Sequence, residues 1–300
     1  MLEYLFFKHP IKIPAMEHVM LRYIGFFLLF LGSLVAREYT FAVYPSNTPT
    51  KVAQALTPLM EHLHHQTGAT FRLVITKDYE EIATRIRENS VDFAWLNTKN
   101  YVTLQEQIPS LAYLVTYQEY SKNGDVTPYY QAFIIALKEA GISSFQEAKG
   151  RHFAFTDKAS TSGYAYPMLL FNEQGIDPHV FFSKVFFLKK HDNIPPALIN
   201  HSIDLGAVSD GTYYTAKEHY GDIFSIVATS KPIPLDAIVA TNNVPSSLQK
   251  RVQHALESIK KDTPAMLALH EHLGWASAGF ARQKEDFYAS FKHALEHQTP

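Results

Sequence analysis

The 300-residue chain contains no cysteine. Disulfides and thiol chemistry are therefore excluded, and so is a lipid anchor carried on an N-terminal cysteine. The chain also lacks a basic excess: 27 Lys and Arg stand against 29 Asp and Glu, a net charge of −2. That balance argues against a nucleic-acid binder working through a positive face. Three chemistry-bearing signatures are missing as well. There is no G-x-x-x-x-G-K-[ST] phosphate loop, no G-x-S-x-G nucleophile elbow and no H-E-x-x-H metal pair. Histidine is plentiful. His62, His64 and His65 share one expected helix, and His270 and His272 flank Glu271 on another. Neither group has the spacing of a common metal site, so no metal and no cofactor is expected.

Long apolar runs are also scarce. Ile24–Ala36 (IGFFLLFLGSLVA) follows Arg22 and is thirteen residues long, short of the roughly 20 a bilayer helix requires. It reads as a signal peptide with cleavage after Ala36; an uncleaved anchor is the alternative. Residues 1–15 have no clear role, and Met16 and Met20 are alternative starts.

What is present is an α/β rhythm. The chain is 46% hydrophobic and 19% charged, enough for two lobes. Tyr39–Tyr44, Thr70–Thr76 and Val91–Leu96 read as strands, with helices over Lys51–His65 and Tyr79–Asn89 between them. This alternation predicts a mostly parallel sheet with helices on both faces. Ligands in such sheets bind beyond the C-terminal strand ends. Further strands are expected over Leu111–Tyr117, Gln131–Leu137, Val185–Leu188, Ser202–Val208 and Phe224–Thr229. Helices are expected over Pro245–Lys260, Thr263–Leu273 and Gln283–Ala294.

The most informative stretch is Arg151–Gln174. Arg151–Asp157 alternates like a strand, Lys158–Gly163 is a loop of small and hydroxyl residues, and Tyr164–Gln174 is an apolar helix stopped by Gly175. Ser160, Thr161, Ser162 and Gly163 thus fall where a strand turns into a helix N-terminus, with its unpaired N–H groups and positive dipole end. One hydroxyl there reads as a cap. Three in a row plus glycine exceed what a cap needs and suit a small oxyanion.

Around this stretch the chain resembles the solute-binding proteins of phosphonate, phosphite and phosphate ABC importers. The likeness runs from about Tyr39 to about Phe291. It is carried by Thr127-Pro128-Tyr129-Tyr130 (Thr where the family has Ser), by the lead-in Ile142 to Phe155, and by Ser160-Thr161-Ser162-Gly163-Tyr164 with Pro167 beyond. The resemblance implies a type II-like two-lobe periplasmic binding protein with its ligand in the interlobe cleft. Residues 1–36 would be the leader, 37–129 plus 238–300 the first lobe and 130–237 the second, with crossovers near Tyr130 and Asp236.

The resemblance further implies ligand tyrosines at Tyr79 (in Asp78-Tyr79) and Tyr130. It makes His191, in Lys189-Lys190-His191-Asp192, a candidate whose charge is tunable near neutral pH, with Asp192 capping the helix that follows. Asp236, in Ser230 to Ala237, matches the acid of the family's "S-x-x-I-P-x-D-P", although Ala237 replaces the final Pro. Asp210 lies one position from the acid that aminoalkylphosphonate binders use, with Gly211 in its place. That shift argues against an aminoalkyl ligand. Leu273-Gly274-Trp275 matches a motif ahead of the last helix, which is expected to pack on the first lobe.

The function implied is therefore non-enzymatic. A monomeric periplasmic receptor would bind a small phosphorus oxyanion on Ser160, Thr161 and Ser162, with Gly163 beside them, and present it to a membrane permease and its ATPase. Three other readings compete: a sensing module for a membrane partner, which would use the same fold and pocket; a binder of an organic ligand, which would keep the lobes but should lack the Ser160-Thr161-Ser162-Gly163 nest; and a phosphatase, for which Ser160 with His191 is the available pair.

Overall fold

The computed structural model describes residues 37–296; the expected leader, residues 1–36, lies outside them. Strands β1 (Glu38–Val43), β2 (Thr70–Ile75) and β3 (Phe93–Leu96) pair in parallel, as the alternation with helices Pro49–Thr67 and Tyr79–Arg87 predicts. The chain continues through helix Thr98–Gln107, β4 (Ala112–Tyr120) and the short β5 (Val126–Thr127). Helix Thr98–Gln107 went unread in the sequence because TKNYVTLQEQ carries no clean apolar stripe. Its start is fixed by Asn97, whose side chain accepts the Asn100 N–H at 3.1 Å.

A second sheet follows: β7 (Ala132–Leu137), β8 (His152–Phe155), β9 (Lys184–Phe187), β10 (Leu205–Ser209) and β11 (Phe224–Thr229), in the spatial order β11-β7-β10-β8-β9. Along β7 the residues alternate between two cores. Phe133, Ile135 and Leu137 pack with Leu198, Val208 and Phe224. Ile134 and Ala136 pack with Phe153, Phe155 and Phe171.

The two sheets are joined by a two-stranded ribbon in which β6 (Tyr129–Tyr130) pairs with β12 (Ile233–Pro234). Beyond it β13 (Ala237–Ala240) returns to the first sheet and wedges between β3 and β4, antiparallel to both. Helices Ser246–Glu257 and Pro264–Leu273 lead to β14 (Ser277–Ala281), also antiparallel to β4. The completed order is β14-β4-β13-β3-β1-β2 with β5 on β4. The sheet is thus mixed rather than mostly parallel. A strand arriving from the other lobe through a short ribbon has no crossover helix to reverse it.

The last helix is Ala289–Glu296, shorter at its start than expected. It does not pack on the first lobe alone: Phe291 stacks on Tyr166 of the second lobe, with ring centroids 5.3 Å apart.

Candidate functional site: the interlobe cleft

The strand β8 ends at Phe155, and the chain then turns into Thr161–Ala165, a wide π-type turn that runs into helix Tyr166–Glu173. Ser160 is the cap: its Oγ accepts the Gly163 N–H at 3.0 Å. The helix start is therefore three residues earlier than the sequence suggests. Gly163 itself does not line the cleft. A Cβ there would lie 1.7 Å from Thr156 Oγ1, so the residue is glycine to let the turn pass over β8. Its place among the candidate ligand residues is corrected on that ground.

Ser160, Thr161 and Ser162 are buried and face a small cavity of about 50 Å³. Tyr79, Tyr130, His191, Asp210 and Asp236 line the same cavity. Tyr79 opens its helix on the first lobe, and its hydroxyl lies against Ser160. Tyr130 sits on the joining ribbon with its hydroxyl against Ser162. Tyr129 points elsewhere and packs on Phe287 at 5.2 Å. Tyr213 and Tyr214 pack on Phe133 in the second-lobe core.

His191 is fixed from both sides. Its Nδ1 accepts the Ser209 backbone N–H at 3.2 Å, and its Nε2 lies 3.3 Å from Ser160 Oγ. An Nδ1 that accepts carries no proton, so Nε2 holds it and points it at Ser160. Burial pushes the imidazole down to about 4, because the charged form is poorly solvated there. His191 is thus a neutral donor at neutral pH rather than the tunable charge expected from the sequence.

Asp236 sits where the ribbon enters β13. Its Oδ2 accepts from the Tyr44 hydroxyl and from Trp95 Nε1, the latter at 3.0 Å. Burial pushes its carboxyl up to about 7, and these two donors only partly offset the shift. Asp210 begins helix Asp210–Tyr220. Its oxygens accept backbone N–H groups from Gln131 at 3.1 Å and Gly211 at 2.9 Å. It ties the helix to the start of β7, and burial raises it to about 6.

Several lining residues escaped the sequence reading: Tyr44, Asn47, Tyr117, Glu119 and Trp275 among them. Tyr44 follows β1 directly, where the strand-end rule points, and stacks on Tyr79 with centroids 5.0 Å apart. Glu119 was hidden because β4 runs three residues past its expected end at Tyr117. Burial, then the neighbouring Asp210 and Asp236, raises its carboxyl well above the usual range. Trp275 lies within the Leu-Gly-Trp motif and contacts Trp95 at 5.7 Å. Asp192 does not cap the helix after it; its Oδ2 accepts the Thr48 N–H of the other lobe at 3.1 Å. Three of the five histidines in the two helical groups are hydrogen-bonded to backbone: His62 to Ala255 O, His64 to Ala69 O and His270 to Trp275 O.

Residues 41–288 match the family described as ABC transporter, phosphonate, periplasmic substrate-binding protein. The chain is 26% identical over 179 residues to the phosphate-import protein PhnD of Mycolicibacterium smegmatis, a match covering 57% of this chain and 54% of that protein. It therefore spans about half the length of that relative. It is 23% identical over 249 residues to the phosphonates-binding periplasmic protein of Escherichia coli, covering 80% and 71% respectively. A binding-protein component of an ABC phosphonate transporter from Pseudomonas aeruginosa superposes with a TM-score of 0.76 at 20% identity, covering 88% of this chain and 87% of that one. PhnD1 of Prochlorococcus marinus in complex with methylphosphonate also gives 0.76, at 13% identity, covering 87% and 98%. At these identities the structural likeness speaks for the two-lobe α/β fold. The match over 41–288 speaks for more: this chain belongs to the family of phosphonate ABC-transporter periplasmic substrate-binding proteins.

Proposed function

We propose that the cleft binds a small phosphorus oxyanion (a phosphonate, phosphite or phosphate) and that the chain delivers it unchanged, as an exported monomer, to an ABC permease with its ATPase. The observation that carries this reading is the convergence of Ser160, Ser162, Tyr79, Tyr130 and the Nε2–H of His191 on one small cavity. No lysine or arginine is among the residues lining it. Neutral donors, held in place before the ligand arrives, suit an anion whose charge is spread over several oxygens.

The small cavity favours the compact members of the class: phosphite has four non-hydrogen atoms, and phosphate or methylphosphonate five. The relatives named for phosphate import and phosphonate binding, and the neighbour holding methylphosphonate, agree with that class.

Asp236 supplies the selectivity. Both of its protein donors fall on Oδ2, which leaves Oδ1 for a ligand. An ionised Oδ1 accepts from a P–OH and repels an anion that has no proton to give, such as sulfate. The hydrolase alternative is disfavoured by the tautomer of His191. A general base for Ser160 needs an Nε2 lone pair, and here Nε2 carries the proton because Nδ1 is occupied.

Titration calorimetry with phosphite, phosphate, methylphosphonate and sulfate tests the proposal. Expected is binding of at least one phosphorus species at micromolar or tighter, weakened about tenfold by Ser162→Ala, the equivalent of 1.4 kcal/mol. Binding of none of them, in a folded protein, overturns it.

A further inference from the structure

The cleft is held shut by contacts that need no ligand. On one side of the cavity, the loop after β1 meets the segment after β9. The His191 N–H donates to Ser46 O at 3.1 Å, the Thr48 N–H donates to Asp192 Oδ2 at 3.1 Å, and Lys51 Nζ lies 3.7 Å from that same oxygen. On the other side, the start of helix Thr98–Gln107 meets the loop after β8. Asn97 Nδ2 donates to Ala159 O at 2.9 Å, and the Lys99 N–H donates to Thr161 Oγ1 at 3.0 Å. Two of the second-lobe segments that reach the cavity are therefore each docked on a helix N-terminus of the first lobe.

The Asp192 contact is the more telling of the two. Helix Pro49–Thr67 has no side-chain cap at Thr48 and no acidic residue in its first turn. The carboxylate that such a terminus favours comes instead from the opposite lobe. Asp192 is well shielded, at 14% side-chain exposure, and its Oδ1 is buried without a partner. With its Oδ1 buried and unpaired, this half-buried carboxylate is costly, and the Thr48 N–H and Lys51 that offset the cost lie across the cleft. Opening the cleft removes both.

We propose that Asp192 is a positioning residue: a cap lent across the cleft to the helix at Thr48, which holds His191 in the site and keeps a substantial fraction of the ligand-free protein closed. Apparent affinity equals intrinsic affinity scaled by the closed fraction. Loss of the latch therefore weakens every ligand by the same factor and also opens the ligand-free protein, whereas loss of a ligand-contacting group leaves the ligand-free conformation as it was.

Two substitutions attack the contact from opposite ends. Asp192→Ala removes the acceptor. Thr48→Pro removes the donor, at a residue whose φ of −59° already suits proline. The absence of cysteine allows clean labelling at two introduced ones, Val180→Cys and Leu267→Cys, both at exposed positions, one on each lobe. The label-to-label distance is measured without ligand and with saturating methylphosphonate, with circular dichroism as the check on folding. Expected is a shift of the ligand-free distribution toward longer distances in both variants, reversed by methylphosphonate. Methylphosphonate and phosphate affinities should fall together by about tenfold, or 1.4 kcal/mol.

A ligand-free distribution unchanged by either substitution overturns the proposal, as does an affinity loss that differs between the two anions. Should Thr48→Pro fail to fold, Asp192→Ala alone decides. The affinity arm rests on the oxyanion reading and the distance arm does not. If neither anion binds the parent protein, that reading falls while the distances still judge the latch.

Discussion

The two walls of the cleft are chemically unlike. The second lobe offers hydroxyls and one imidazole: Ser160, Thr161, Ser162, Ser209, Thr212 and His191. Its single carboxylate, Asp210, has both oxygens engaged by backbone N–H groups. The first lobe and its junction with the ribbon offer rings and acids: Tyr44, Tyr79, Tyr117 and Trp275 with Glu119 and Asp236. On the proposed reading, the second-lobe hydroxyls together with Tyr79 donate to the anion and the acids opposite screen it. A chain of net charge −2 would then draw its affinity from fixed neutral donors, and its selectivity from a buried acid that only a protonated ligand can satisfy.

The comparison breaks most visibly on the donor wall. The double substitution Ser160→Ala with Ser162→Ala should weaken phosphite, phosphate and methylphosphonate alike by about a hundredfold, on the basis of about 1.5 kcal/mol per hydrogen bond to a charged group. Calorimetry checks this. On the screening wall, Asp236→Asn should leave phosphate affinity within a few-fold and raise sulfate affinity about tenfold, since a carboxamide does not repel a second anion at the 1.4 kcal/mol level.

Asp236 also sharpens the contrast through pH. Its carboxyl moves from 3.8 to about 7 on folding, so between those values the folded chain holds a proton that the unfolded chain has lost. Stability from this group is complete below about 4 and lost as pH rises through about 7. The ligand-free Asp236→Asn protein should therefore melt a few degrees above the parent at pH 8, with the gap closing by pH 4. On the donor wall, His191 behaves oppositely. Its folded value is depressed to about 4 from 6.5, so its contribution is present above about 6.5 and lost as pH falls through 4. The smallest effect is expected at Tyr129, which packs on Phe287 outside the cavity. Tyr129→Ala should change ligand affinity by less than about twofold, within the range of substitutions far from a site.

How much of this was legible in the sequence follows the same division. The donor wall is local: Ser160, Thr161 and Ser162 are consecutive, and strand, loop and helix signals bracket them. The acid wall is assembled from distant pieces. Asp236 could be singled out by its motif, but nothing in the sequence shows that Tyr44 and Trp95, 192 and 141 residues away, both donate to one of its oxygens. Glu119 was lost through a strand boundary, the least secure part of any such reading. The protonation of His191 depends on the Ser209 N–H, a contact between β10 and a short turn, and no spacing rule encodes it. The same limit applies to β13 and β14. AIVA and SAGFA are too short to declare themselves, and each becomes a strand because β3 and β4 offer it a partner.

The most direct test of the two-wall account is competition between phosphate and sulfate on the parent protein and Asp236→Asn, followed by calorimetry at pH 8 and again at pH 5. The account predicts strong preference for phosphate at pH 8 in the parent, a narrower preference at pH 5, and a narrow preference at both values in Asp236→Asn. Equal preference in parent and variant at pH 8 would contradict it, because selectivity would then reside in the donor wall.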